Sequence, residues 1–389
     1  MKRKFSVIFI LTAFMLIISF YIKPRTAFAL DTGLNFQSES VYLCESESGS
    51  EIYSKNADKR LPIASMCKIM TALLTFEAID NGFTTLNDII TVSENASGMG
   101  GSQVFLEENG KYKVSDLIKS VIVASANDAS VALAEHIGGS EKQFVDLMNE
   151  KAQKLGMNNT LFVNCTGLPK PTQYSSAKDV AKMFNELIKH KEYFIFSKIW
   201  MDEITHPEGR ITGISNTNKL VKFYNGCDSG KTGYTQEAGH CVCASAVKDN
   251  MRLISVVIKA PNSQTRFKEA SSLFNYGFSN YASKLIVDKD KPLAETVKVL
   301  GGKVESITVR PEKSLFIFGE KNKKIGVEFV FRPDKSIKAP VNEGDKVGVL
   351  YVFDNNGKEI NSVNIVSNEK VDRAGYFDSI QKITNNWGI

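Results

Sequence analysis

Ser65 and Lys68 stand three residues apart in Ser65-Met66-Cys67-Lys68, directly after the stretch Leu-Pro-Ile at 61–63. On a helix that spacing sets the hydroxyl and the amine side by side on one face. A serine hydroxyl is a weak nucleophile at neutral pH and needs an adjacent base, a part an amine can play once its pKa has been lowered. The pair therefore points to acyl transfer through a covalent intermediate on Ser65, with Lys68 as the base. Backbone N–H groups at a helix start would face the negative charge that develops. Met66, Ile69, Met70, Leu73 and Leu74 pack inward, and Cys67, well around the helix from Ser65, belongs with the core.

Two further triplets complete a constellation. Ser125-Ala126-Asn127 joins two helical patterns: the Ser125 hydroxyl can pass a proton to a leaving amine, and the Asn127 carboxamide can hold a peptide group. Lys231-Thr232-Gly233, leading into Tyr234, offers a cation, a hydroxyl and a residue without a side chain on a strand edge, which suits a carboxylate and an extended substrate. Lys231 would also add a like charge that lowers the Lys68 pKa. In this order the three triplets form the signature shared by penicillin-binding proteins and class A β-lactamases.

The elements that must position these residues follow from hydrophobic period. Residues 41–44 and 51–54 read as a hairpin, and 241–247 and 253–259 as two later strands joined by a polar turn at 248–250. Between them, 64–79, 114–123, 128–136, 141–155 and 177–189 carry helical spacing. The expected fold class is α+β: one antiparallel sheet flanked by helices, over residues 30–284. From 285 to 368 short alternating runs and a turn at 354–357 replace the helices, which reads as a small all-β second domain.

Both chain ends carry signals of place. Lys2, Arg3 and Lys4, an apolar run at 5–22 and Ala27-Phe28-Ala29 form an export leader, 1–29; an uncleaved anchor is the alternative. The leader region holds five basic residues and no acid before Asp31, so the formal charge of +5 vanishes without it and the slightly basic pI gives no reason to expect nucleic acid. At 369–389 Tyr376, Phe377, Ile380, Ile383, Thr384 and Trp387 share one helical face, a reading that favours an amphipathic helix on a membrane surface over one packed on its own domain. The six cysteines match neither a dense disulfide framework nor a metal site and are read as buried hydrophobes, with a disulfide left open by export.

On these residues the chain resembles the D-alanyl-D-alanine carboxypeptidases among the low-molecular-mass penicillin-binding proteins. The likeness extends to Gly100-Gly101-Ser102-Gln103, 125–135, 156–160, 231–238 and Tyr276-Gly277-Phe278, and to the β-rich domain and tail. It implies a β-lactamase/transpeptidase-like fold and release of the last D-alanine from peptidoglycan pentapeptide stems. By the same resemblance Ser65 is the nucleophile, Lys68 its base and Ser125 the proton relay, with Asn127, Lys231, Thr232, Gly233 and Tyr234 binding substrate. The resemblance also implies that the backbone N–H groups of Ser65 and Tyr234 form the oxyanion hole. β-Lactams are implied as covalent inhibitors, the outer face of the cytoplasmic membrane or the wall as the location, and no metal or other cofactor is implied. One departure stands out: some members carry an arginine in the stretch matching Asn216-Thr217-Asn218-Lys219, and none is present here.

Two other readings remain. A class A β-lactamase would share the three motifs but adds Glu-x-x-Asn between the second and third, and no such element occurs between 125 and 231. A non-catalytic penicillin receptor needs acylation without turnover, which D-alanine release separates from an enzyme. Of the four histidines, His240 lies nearest the third motif.

Overall fold

The computed structural model describes residues 33–324, 326–378 and 380–381, so the leader at 1–29 and the end of the terminal helix lie outside the described residues. Everything below belongs to the unit Gln37–Ile389.

A five-stranded antiparallel sheet forms the frame. Its strands are β1 (Ser40–Glu45), β2 (Glu51–Lys55), β3 (Cys227–Thr235), β4 (Gly239–Lys248) and β5 (Met251–Ala260). They lie in the order β2-β1-β5-β4-β3, so the first hairpin pairs with the last strand and β3 is left as an edge. β4 and β5 are nearly continuous apolar runs because both sheet faces are covered. Alternate side chains divide between the faces: Ile254, Val256 and Ile258 join the main core, while Leu253 with Leu43 meets Gly277 on the other side.

The main core is closed by α1 (Lys68–Asp80), α2 (Val114–Lys119), α3 (Asn127–Gly138), α4 (Glu141–Lys154) and α5 (Ala177–Leu187). These match the five segments with helical spacing. Ser140 and Ser176 cap α4 and α5 with their side chains, each accepting an N–H from three residues on. The opposite face is covered by α6 (Ser263–Asn280), capped by Asn262. Sequence spacing did not reveal α6, because its buried positions include Arg266, Glu269 and Gly277 beside Leu273 and Phe274, which breaks the apolar stripe.

The β-rich part begins at β6 (Tyr281–Val287), four residues ahead of the expected boundary. It continues through β7 (Thr296–Leu300), β8 (Ser306–Pro311), β9 (Leu315–Glu320), β10 (Val327–Pro333), β11 (Ile337–Lys338), β12 (Lys346–Asp354) and β13 (Glu359–Ser367). Strict alternation in β7 and β8 sends Val297, Val299, Ile307 and Val309 into a core of their own. The turn after Asp354 joins β12 to β13 as read from the sequence. Residues 369–375 are not helical: Val371 bridges to Val341 with its side chain buried, and Arg373 bridges to Gly302. The terminal helix therefore starts at Tyr376 and not at 369, since burying Val371 holds that stretch extended against the sheet. Tyr376 and Phe377 are strongly exposed. Among the described residues no helix is long and apolar enough to cross a membrane.

Candidate active site

Ser65 sits in a 3₁₀ turn, Ala64–Cys67, that runs directly into α1, and it is the one half-open residue in a buried run. Ala64 takes a positive φ of 47°, a conformation that costs a residue with a Cβ about 1 kcal/mol or more. Gly167 supports it from behind: a Cβ there would lie 2.0 Å from the Ala64 carbonyl oxygen. On the other side a Cβ on Gly233 would stand 2.6 Å from the Ile63 carbonyl and 3.1 Å from the Ser65 nitrogen. The glycine of the third motif thus lets the edge of β3 approach the backbone of Ser65, a reason sequence alone did not supply.

Lys68 opens α1 fully buried, and its amine has three neighbours. Nζ is 3.1 Å from Ser65 Oγ, 2.6 Å from Asn127 Oδ1 and 2.6 Å from the Thr166 carbonyl oxygen. Asn127 Nδ2 donates to the Gly100 carbonyl at 2.6 Å, which fixes Oδ1 toward the lysine. Asn127 Oδ1 and Thr166 O can only accept, so they hold two N–H bonds. A neutral amine then has its lone pair left for the third direction, toward the Ser65 hydroxyl. Burial pushes the Lys68 pKa down to about 8.

Ser125 is delivered by a different device. After α2 the chain widens into a π-helical turn, Ser120–Ala124, and Ser125 ends it in the left-handed region at φ 63°. Its hydroxyl accepts from Lys231 Nζ at 2.7 Å, and that amine also reaches the Thr232 carbonyl at 3.1 Å. Burial, with the positive charges of Lys68 and Arg266, pushes the Lys231 pKa far down. Burial is the largest cause that lowers Lys68, and the two buried lysines also repel each other.

The β3 edge gathers the rest. Thr232 is buried, and Tyr234 is 60% exposed with its ring stacked on His240 at 4.4 Å. Arg266, in the first turns of α6, sends Nη1 to the carbonyls of Gly233 at 3.0 Å and Cys241 at 3.2 Å. Its Nε is buried and donates to nothing among the described residues. A guanidinium therefore does stand at this edge, delivered by α6 and not by 216–219. All six cysteines are free and buried, including Cys67 in the first motif.

A serine hydroxyl beside a buried amine of lowered pKa, and a cationic strand edge, agree on this fold with what comparison finds. Residues 27–262 match the D-alanyl-D-alanine carboxypeptidase family, and 281–373 match the C-terminal domain of penicillin-binding protein 5. The chain belongs to the D-alanyl-D-alanine carboxypeptidase family.

One relative, D-alanyl-D-alanine carboxypeptidase DacF of Bacillus subtilis, is 36% identical over 93% of this chain and 94% of its own. Among solved structures, penicillin-binding protein 5 of Haemophilus influenzae is 32% identical with a TM-score of 0.66, covering 87% of this chain and 99% of that one. The peptidoglycan synthesis regulatory factor PBP3 of Streptococcus pneumoniae is 27% identical with a TM-score of 0.74, over 87% and 100%.

For this family member the structure gathers two hydrogen-bonded groups, Lys68 with Ser65 and Asn127, and Lys231 with Ser125, whose amines are near enough to repel each other, with Thr232, Gly233 and Tyr234 on the same strand as Lys231. Asn127, expected to hold substrate, bonds to the Lys68 amine, and one of its N–H groups has no acceptor among the described residues. Sequence reasoning missed Thr166 and Gly100, which act through backbone carbonyls that any residue type provides. It also missed Asp128, whose buried carboxylate accepts N–H bonds from Val104, Leu106 and Ala129. Asp128 thereby holds the loop that presents Gly100.

Proposed function

We propose that the named residues perform the serine D-alanyl-D-alanine carboxypeptidase reaction as follows. The observation that carries the assignment is the Lys68 amine, buried, lowered to about 8 and 3.1 Å from Ser65 Oγ. A peptide lies along the edge of β3 with its carboxylate at Lys231, Thr232 and the free Nε of Arg266. An arriving carboxylate favours the charged form of Lys231, and that charge in turn disfavours protonated Lys68. Substrate thus helps to free its own base.

Ser65 Oγ attacks the carbonyl carbon of the last peptide bond while Lys68 takes the hydroxyl proton. The backbone N–H groups of Ser65 and Tyr234 receive the oxyanion. Ser125, bonded to Lys231, passes its hydroxyl proton to the departing nitrogen and regains one from Lys68, which is left neutral; the C–N bond breaks and D-alanine leaves. Water, deprotonated by Lys68, then attacks the ester carbonyl, and Ser65 recovers its proton as the shortened peptide departs. A β-lactam follows the first half, but its leaving nitrogen stays tethered, so it occupies Ser65 as a covalent inhibitor.

Family membership supports work outside the cytoplasm, on wall peptides. We read 1–29 as the export leader and the residues from Tyr376 onward as a membrane-surface helix, supported by the exposure of Tyr376 and Phe377. The division at about 284 between catalytic and β-rich parts belongs to the same reading. Truncation before Tyr376 should move the protein from the membrane fraction to the soluble one with unchanged turnover; unchanged fractionation rejects the anchor.

The deciding experiment measures D-alanine release from a pentapeptide and maps the penicillin adduct by mass spectrometry. Ser65→Ala should lose both activities, and an adduct on any other side chain rejects the mechanism.

A further inference from the structure

His206 touches none of the groups around Ser65, yet it is buried and its ring ties together two segments far apart in sequence. It stands in the turn between the paired strands Met201–Thr205 and Ile211–Ser215, where its backbone N–H donates to the Arg210 carbonyl at 2.8 Å. Nδ1 is 2.8 Å from the Tyr112 hydroxyl and 3.0 Å from Arg210 Nη2, and Nε2 is 2.9 Å from Thr212 Oγ1. A guanidinium can only donate, so Nδ1 presents its lone pair and Nε2 carries the proton, which it donates to Thr212. The Tyr112 hydroxyl donates to the same lone pair and accepts the Glu107 N–H at 3.2 Å.

Across this contact lies the loop that sets Asn127. The Gly100 carbonyl accepts from Asn127 Nδ2 at 2.6 Å, and the Ser102 carbonyl accepts the Asn127 backbone N–H at 2.7 Å. Further along the loop Phe105 stands in the left-handed region at φ 62°, and its carbonyl accepts from Arg210 Nη2. Asp128 holds this loop from within, and the turn at His206 holds it from outside. An imidazolium would break the outer hold, because its Nδ1–H would meet the guanidinium, donor against donor and cation against cation. Two acidic groups face the ring among the described residues. Glu107 Oε1 is 4.0 Å from Nδ1 and already accepts from Arg210, while the Asp128 carboxylate is taken up by loop N–H bonds. Burial and Arg210 hold the His206 pKa below the ordinary histidine value.

Resting on the reading of Lys68 as the base, we propose that neutral His206 is a positioning residue for the reaction. It keeps the loop from Gly100 to Glu107 in place, and its protonation frees that loop and with it Asn127 and the Lys68 amine.

The test follows the second-order rate of penicillin acylation of the intact protein from about pH 9 down to about pH 5, with the titration and tautomer of His206 read from its imidazole NMR signals. Protonation of Lys68 alone lowers the rate about tenfold per pH unit; below the ordinary histidine range the fall should steepen toward about a hundredfold per unit, in step with the His206 signals. His206→Gln, which cannot charge, should keep the shallower slope throughout, and the signals it loses assign those of the parent. Arg210→Gln removes the opposing cation, so the steep limb should move to higher pH whatever happens to the rate itself. Should His206→Gln not fold, the parent's two titrations and the Arg210→Gln shift decide. A parent slope that never steepens, a steep limb that survives His206→Gln, or a proton found on Nδ1 at neutral pH would overturn the role of His206. A rate that is flat across about pH 8 would overturn instead the reading of Lys68 on which it rests.

Discussion

Lys68 Nζ lies 2.6 Å from Asn127 Oδ1, closer than to the Ser65 hydroxyl it serves. On the mechanism proposed above the carboxamide is thus a positioning group for the base, and its orientation is set in turn by the Gly100 carbonyl. Four predictions follow from this arrangement and its surroundings.

Only neutral Lys68 can accept the Ser65 proton, so the second-order rate of penicillin acylation should rise with pH and level off above about 8. For D-alanine release the midpoint in kcat should fall below that in kcat/KM, because a bound carboxylate charges Lys231 and that charge disfavours protonated Lys68. Lys68→Arg, charged at every accessible pH, should lower acylation at least about a thousandfold at all pH values. The shift also acts on stability. Between about 8 and the ordinary lysine value Lys68 binds fewer protons folded than unfolded, while the six buried cysteines, held above their ordinary value, act the other way; the contribution of Lys68 is therefore read as a difference, and the stability of the protein relative to Lys68→Met should rise with pH through that window.

Asn127→Asp sets a carboxylate against the amine and favours its charged form. The acylation midpoint should move to higher pH, with activity lost at neutrality and partly regained in alkali; an unmoved midpoint would show that Asn127 does not govern Lys68.

Arg266→Gln removes a buried guanidinium whose Nε has no acceptor among the described residues. A charge-assisted hydrogen bond contributes about 1.5–3 kcal/mol, so kcat/KM for a donor with a free C-terminal carboxylate should fall about tenfold to a hundredfold. The loss should appear mainly in KM, and steady-state kinetics on the peptide measures it.

Gly167→Ala forces a Cβ onto the Ala64 carbonyl from a left-handed backbone. The melting temperature should drop, by more than the ~1 kcal/mol typical of such a change, and penicillin labelling should fall further than unfolding explains because Ser65 is displaced. A variant that labels at the parent rate would show that this contact does not position the nucleophile.

The three motifs, the helix following Ser65, the paired strands and the β-rich second part were all legible in the sequence, because residue type, spacing and hydrophobic period act over a few positions. Nucleophile, base and strand edge could be named for the same reason: their side chains carry the chemistry. What the tertiary structure alone decided is who faces whom. Thr166 and Gly100 act through carbonyls that every residue has, Gly233 through the absence of a Cβ, and Arg266 from a helix whose buried polar positions hide its period. Even Lys68 was readable only as an amine one turn from a serine. That it is neutral enough to act depends on its burial, and burial is a property of the packed core and not of any short stretch of chain.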